Sequence, residues 1–191
     1  RTLELTKSIL NFARVGTAGL KNFRIFEVVE SCAQLIDKKL MMSGVSLENN
    51  IDEDAIVFAN SSDIHQIVLN LLLNARDALS ENESLEKKKI IVELKKTSER
   101  IYIYFCDNGP GIPDEIKHKI FERNFSTKGK DGSGIGLFLS KTLAHKNEGD
   151  LRLDLHSETT KFILDLKSEN LEEEITLFFN EFIKEESLKN A

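Results

Sequence analysis

The stretch S61-S-D-I-H-Q-I-V-L-N-L-L-L-N-A-R-D-A-L-S-E81 constrains the fold more than any other part of the chain. At 100° per residue, Ile64, Ile67, Val68, Leu71, Leu72, Ala75, Ala78 and Leu79 spread over a wide apolar face. Asp63, Gln66, Asn70, Asn74, Asp77 and Glu81 fall in one narrow stripe, and Ser61, Ser62 and Asp63 offer N-terminal caps. A polar stripe on a helix is ordinarily a solvated surface, but two observations weigh against that here. Asparagine is a poor helix-interior residue, yet Asn70 and Asn74 stand four apart in the most apolar part of the chain. A helix this hydrophobic is also buried on most sides, so its stripe is expected to face a cavity. Carboxamide oxygens at i and i+4 suit a hard cation such as Mg2+ or its water shell.

Helical spacing also marks residues 1–15, 27–42 and about 135–146, with Gly44 stopping the second. Strand-like runs are F23-R-I-F26, V45-S-L-E-N49, A55-I-V-F-A59, I90-I-V-E-L-K-K96, I101-Y-I-Y-F-C-D107, L151-R-L-D-L155 and K161-F-I-L-D-L166. Helices and strands intermix without a strict βαβ rhythm, which predicts an α+β fold, a mixed sheet covered by helices. The last 23 residues, 169–191, carry seven Glu against two Lys beside Leu171, Ile175, Phe178, Phe179, Phe182 and Ile183, the pattern of an acidic amphipathic helix.

With 191 residues, 40% hydrophobic and 30% charged, the chain has enough for one substantial core and is not a disordered polymer. A net charge of −6, with Lys and Arg dispersed, argues against a nucleic-acid surface. Cys32 and Cys106 lie in apolar contexts and read as small buried hydrophobes, and no His or Cys has a partner at zinc spacing. No apolar run is long enough for a transmembrane helix, and the start has no signal-peptide pattern. The missing initiator methionine predicts a piece of a longer protein.

Between the strand-like run ending at Asp107 and the helix near 135, the chain is long, glycine-rich and almost aperiodic, which marks a functional or mobile segment. D107-N-G-P-G-I112 has two readings. Asp107 caps a tight turn whose glycines take positive φ, or its carboxylate accepts from an exocyclic amine while a flat ring approaches Gly109 and Gly111. G132-S-G-I-G136 runs into a helix, which is either a flexible connector or a phosphate cradle. In F121-E-R-N-F-S-T-K128 the phenylalanines, four apart, are placed to pin a loop. Lys128 there is a solvated lysine or a phosphate contact.

Taken in order, these segments resemble the ATP-binding domain of bacterial sensor histidine kinases and, more broadly, the superfamily shared with the gyrase B subunit, the heat-shock chaperone and mismatch-repair ATPases. N70-L-L-L-N-A-R-D-A78 matches its N box, F121 to K128 its F box, and D107-N-G-P-G-I and G132-S-G-I-G-L its two glycine boxes, over roughly residues 23–166. The resemblance implies a Bergerat-type two-layer α/β sandwich, with a mostly antiparallel sheet and helices on one face. It implies three parts: the end of a dimerisation and phosphotransfer helix at 1–20, an ATP-binding domain at 21–168, and the tail from 169. It implies that Asp107 takes the adenine amine, that Gly109, Gly111 and Ile112 shape the base pocket, and that Thr160 stands near Asp107. Asn74 would ligate Mg2+ on the phosphates, with Asn70 and Asp77 beside it. Lys128 and the amides around Ser133, Gly134, Ile135, Gly136 and Leu137 would meet the phosphate tail, and residues 113–131 would form a mobile lid.

The superfamily's hydrolases carry a glutamate general base where this chain has Asn70, which cannot accept a proton at neutral pH, so transfer to a protein side chain is favoured. His65, His118, His145 and His156 lack the setting of a phosphoacceptor, which is expected upstream of Arg1. The implied partners are that helical domain, a response regulator and a second copy of the full-length chain, in the cytoplasm, with membrane attachment of the parent left open. The alternative is a nucleotide-sensing pseudokinase or interaction module that binds ATP without transfer. Two departures from the family stand out: K146-N-E-G-D150 keeps only Gly149 of a paired glycine, and Thr159 replaces a glycine.

Overall fold

The computed structural model describes residues 19–82, 85–128 and 133–169. The helices expected over 1–15 and in the acidic tail lie outside these residues, apart from Glu169. The elements are β1 (Lys21–Arg24), α1 (Ile25–Met42), β2 (Val45–Asn50), β3 (Ile56–Ala59), α2 (Ser61–Ser80), β4 (Lys88–Lys96), β5 (Arg100–Asp107), α3 (Asp114–Lys117), α4 (Gly136–Lys146), β6 (Asp150–Leu153) and β7 (Lys161–Ser168).

The strands form one sheet in the order β1-β3-β7-β5-β4-β2, with β6 also paired to β7. Among the described residues only β2 and β4 run parallel; every other pair is antiparallel. Side chains alternate across a strand, so one face collects Ile90, Val92, Ile101, Ile103, Phe105, Leu164 and Leu166, all buried under the helices. The other face carries half-buried Tyr102, Tyr104 and Ile163, with the Arg152 guanidinium 5.7 Å from the Tyr102 ring. The result is a two-layer α+β sandwich, mostly antiparallel, with α1, α2 and α4 covering one face.

Several boundaries differ from the sequence reading. The expected strand at 23–26 ends at Arg24, because Ile25 is fully buried and its N–H donates to Ala55 O at 3.1 Å as α1 begins. The cap of α2 is Asn60 rather than Ser61, Ser62 or Asp63: its Oδ1 accepts from Asp63 N at 3.1 Å. The segment around 116–125 forms only the single turn α3 followed by tight turns.

At the far end of α4, Asn147 ties the helix layer together. Its side chain accepts from Asn60 N at 2.6 Å and donates to Asp63 Oδ2 at 3.0 Å. Asp63, fully buried, also meets Lys146 Nζ at 3.0 Å. The next residue, Glu148, takes φ +54, and Gly149 N donates to Ala144 O at 2.9 Å. Glu148 therefore holds a left-handed position that glycine takes freely, at a steric cost an L side chain cannot avoid. Glu148→Gly is expected to raise the melting temperature despite losing the Lys167 pair, as thermal unfolding would register.

Candidate functional site

The C-terminal half of α2, the end of β5, the loop behind it and the start of α4 enclose a cleft of about 810 Å³. Asp107 lies at its floor because it is the last residue of β5 and its register turns it to the face beneath α2. Only 5% of it is exposed. Its N–H donates to Thr160 O at 3.1 Å, its Oδ1 accepts from Gly109 N at 2.9 Å, and the buried Thr160 hydroxyl bonds the carboxylate. Burial pushes the carboxyl up to about 6, and the two hydrogen bonds oppose that rise without cancelling it.

Gly109 and Gly111 serve different ends. A Cβ on Gly109 would stand 2.6 Å from Asp107 Oδ1, so this glycine makes room for the carboxylate itself. Gly109 itself is not among the residues that line the cleft. Gly111 has φ +77 and turns the chain back along the cleft beside Ile112 and Pro113.

The polar stripe of α2 divides in space. Asn70, Asn74, Asp77 and Glu81 line the cleft, whereas Asp63 is sealed under α4 and Gln66 does not reach it. Asn70 is engaged with α4: its Nδ2 donates to Ser140 Oγ at 2.9 Å, and a Cβ on Gly136 would overlap its carboxamide. Asn74 faces the open space, where its Oδ1 accepts from Lys128 Nζ at 3.3 Å. Lys128 also reaches Asp77 Oδ2 at 2.5 Å, and Arg76 Nη2 lies 2.8 Å from Asp77 Oδ1.

The remaining wall is the F-box segment docked on the glycine box. Phe121 packs edge-on to Phe162, centroids 6.2 Å apart, with Lys141 Nζ 4.8 Å above its ring. Asn124, at φ +67, donates its N–H to Gly134 O at 2.9 Å. Gly134 is itself at φ +65, and a Cβ there would fall 2.7 Å from Asn124 O. Ser133, Gly134, Gly136 and Leu137 line the cleft; Ile135, the N-cap of α4, does not. Among the described residues that helix start has no side-chain cap, and its first turn holds no acidic residue, which leaves N–H donors and the positive dipole end for an anion.

Ile116, Ile120 and Phe162 also line the cleft, and sequence reasoning did not single them out. The available signal was the apolar pair at 116 and 120, four apart in an otherwise aperiodic stretch.

The cleft thus joins a buried acceptor, apolar walls suited to a flat ring, and a cationic, N–H-rich rim suited to phosphates, a combination that fits a nucleotide. The family model described as "Histidine kinase-, DNA gyrase B-, and HSP90-like ATPase" matches residues 59–170, and the chain belongs to that family. It is 31% identical over 132 residues to the adaptive-response sensory kinase SasA of Crocosphaera subtropica, covering 67% of this chain and 32% of SasA. It is 27% identical over 164 residues to the C4-dicarboxylate transport sensor protein DctB of Rhizobium meliloti, covering 85% of this chain and 26% of DctB. Among solved structures, the mycobacterial sensor histidine kinase MprB superposes with a TM-score of 0.66 at 26% identity, over 78% of this chain and 98% of that one. The chain spans about a third or less of the two curated relatives. Among the described residues no helix is long and apolar enough to cross a membrane.

Proposed function

We propose that residues 21–168 form the ATP-binding catalytic domain of a sensor histidine kinase, which passes the γ-phosphoryl group of Mg–ATP to a histidine on a helical domain of the same protein. The observation that carries the reading is the pairing of a buried, hydrogen-bonded Asp107 with an uncapped helix start across one cleft. Asp107 accepts from the adenine amine, with Thr160 and Gly109 holding its carboxylate in place. Ile112, Ile116 and Ile120 supply apolar wall for the ring. Lys128 and the N–H groups about Ser133, Gly134, Gly136 and Leu137 hold the phosphates.

The donor set fits Mg2+ brought in with the nucleotide. Asn74 offers a hard oxygen that already accepts from an ammonium, and among the described residues no group of three or more His, Cys, Asp or Glu forms a protein-only metal site. The cation would neutralise phosphate charge; the residues position. Asn70 is occupied by Ser140 and has no basic group to activate water, so the γ-phosphorus is left for an imidazole nitrogen. A P–N bond then forms as the β–γ bridging P–O bond breaks and ADP departs. Relay to a response-regulator aspartate, a dimeric parent and a cytoplasmic location complete the reading.

Titration of the chain with a fluorescent ATP analogue tests it. The protein binds in the presence of Mg2+, and Asn74→Ala weakens that binding by about tenfold or more. Incubated with γ-labelled ATP, the chain does not label itself, and labelling appears only when the helical domain is supplied. Stable labelling of His65, His118, His145 or His156 would contradict the assignment.

A further inference from the structure

Asp77 sits on the cleft wall with both oxygens engaged. Arg76 Nη2 holds Oδ1 at 2.8 Å, and Lys128 Nζ holds Oδ2 at 2.5 Å while also lying 3.3 Å from Asn74 Oδ1. Lys128 comes from the F-box segment and Asp77 from α2, so this pair bridges two walls of the cleft. Building on the nucleotide reading above, we propose that Asp77 is the resting partner of Lys128 and thereby lowers the affinity of the cleft for phosphate-bearing nucleotides.

The chemistry is an exchange of anions on one ammonium. A polyphosphate oxygen takes Lys128 from Asp77, and breaking the resting pair offsets part of what the phosphate pair contributes. Asp77 and Lys128 side chains are 29% and 32% exposed, so the pair is partly screened and readily exchanged rather than locked. Arg76 keeps Asp77 in place while Lys128 is away. Because the same ammonium rests on Asn74 Oδ1, its departure also frees the oxygen assigned to the cation. Asp77 is thus a positioning residue, acting through Lys128 rather than on the nucleotide.

Asp77→Asn preserves shape and removes the charge. Calorimetric titration at low salt with Mg–ATP, and separately with adenosine, compares the wild type, Asp77→Asn, Lys128→Met and the double variant. Asp77→Asn is expected to tighten Mg–ATP about fivefold and to leave adenosine, which has no phosphates, within about twofold. The gain must shrink in the Lys128→Met background, since there is no ammonium left to release. An equal gain in both backgrounds would show plain repulsion of phosphate by Asp77 and overturn the proposal. Weaker or unchanged Mg–ATP binding by Asp77→Asn would overturn it too. Wild-type protein that binds adenosine and Mg–ATP equally, or neither, defeats the nucleotide reading itself, a result distinct from wild-type ATP binding that Asp77→Asn fails to improve.

Discussion

Asp107→Asn is expected to make the protein more stable at neutral pH and, at the same time, a poor binder of ATP. The carboxyl of Asp107 rises from 3.8 to about 6 because burial penalises its charged form. A native value above the unfolded one means that protonation favours folding. The contribution is fully present below about pH 4 and is lost as pH climbs through about 6, so at pH 7.5 the native state bears a charge costing about 3 kcal/mol. Asparagine keeps an oxygen for Gly109 N–H, and the Thr160 hydroxyl can turn to accept from the new amide. The variant should therefore gain roughly 1–3 kcal/mol at pH 7.5 and nothing near pH 4, as urea unfolding across that range would measure. ATP affinity should fall by about tenfold to a hundredfold, the worth of a charged acceptor. In the wild type, affinity should decline as pH drops below about 6, whereas the variant's weak binding stays flat over the same range. A wild type whose stability rises between pH 5 and 7 relative to the variant would refute the buried-charge account.

Gly149→Ala is expected to carry the largest loss of stability. A Cβ at that position would overlap the carbonyl oxygen of Asp165 and stand 3.1 Å from Leu166 Cδ2 and 3.3 Å from Ala144 O. Two of these three neighbours are backbone, and Asp165 lies in β7, which pairs with β5 on one side and β6 on the other. Neither strand partner can give way without breaking a ladder. The expected cost is about 3 kcal/mol, read as a drop in the denaturation midpoint. Nucleotide affinity of the fraction still folded should change little, because Gly149 lies outside the cleft. Unchanged stability would mean that the end of α4 can shift away from β7.

The sequence spoke clearly where period and motif coincide. The wide apolar face of α2 announced a buried helix, and the placement of Asn70 and Asn74 on its interior pointed to a cavity that both residues line. The strand ending at Asp107 carried its own alternation, which fixed the face on which the carboxylate falls. Partnerships across distant segments were not legible. Asp63 looks like one more member of the stripe, yet it ends sealed against Asn147, 84 positions away. Gly109 and Gly111 look alike in the sequence, but one clears space for a carboxylate and the other takes a left-handed turn. The contact of Asn124 with Gly134 joins two motifs through a backbone hydrogen bond, to which side-chain identity gives no pointer.

The pleat of β5 places Cys106 next to Asp107 in sequence but on the opposite side of the sheet. Cys106 is half-exposed, while the only other thiol, Cys32, is buried and held up near 11. A maleimide dye would therefore couple at a single position, if slowly, since burial also raises the Cys106 thiol. Such a dye would sit one residue from the floor of the cleft without entering it. The protein thus comes with its own attachment point for an optical sensor of ligand occupancy, needing no engineered cysteine.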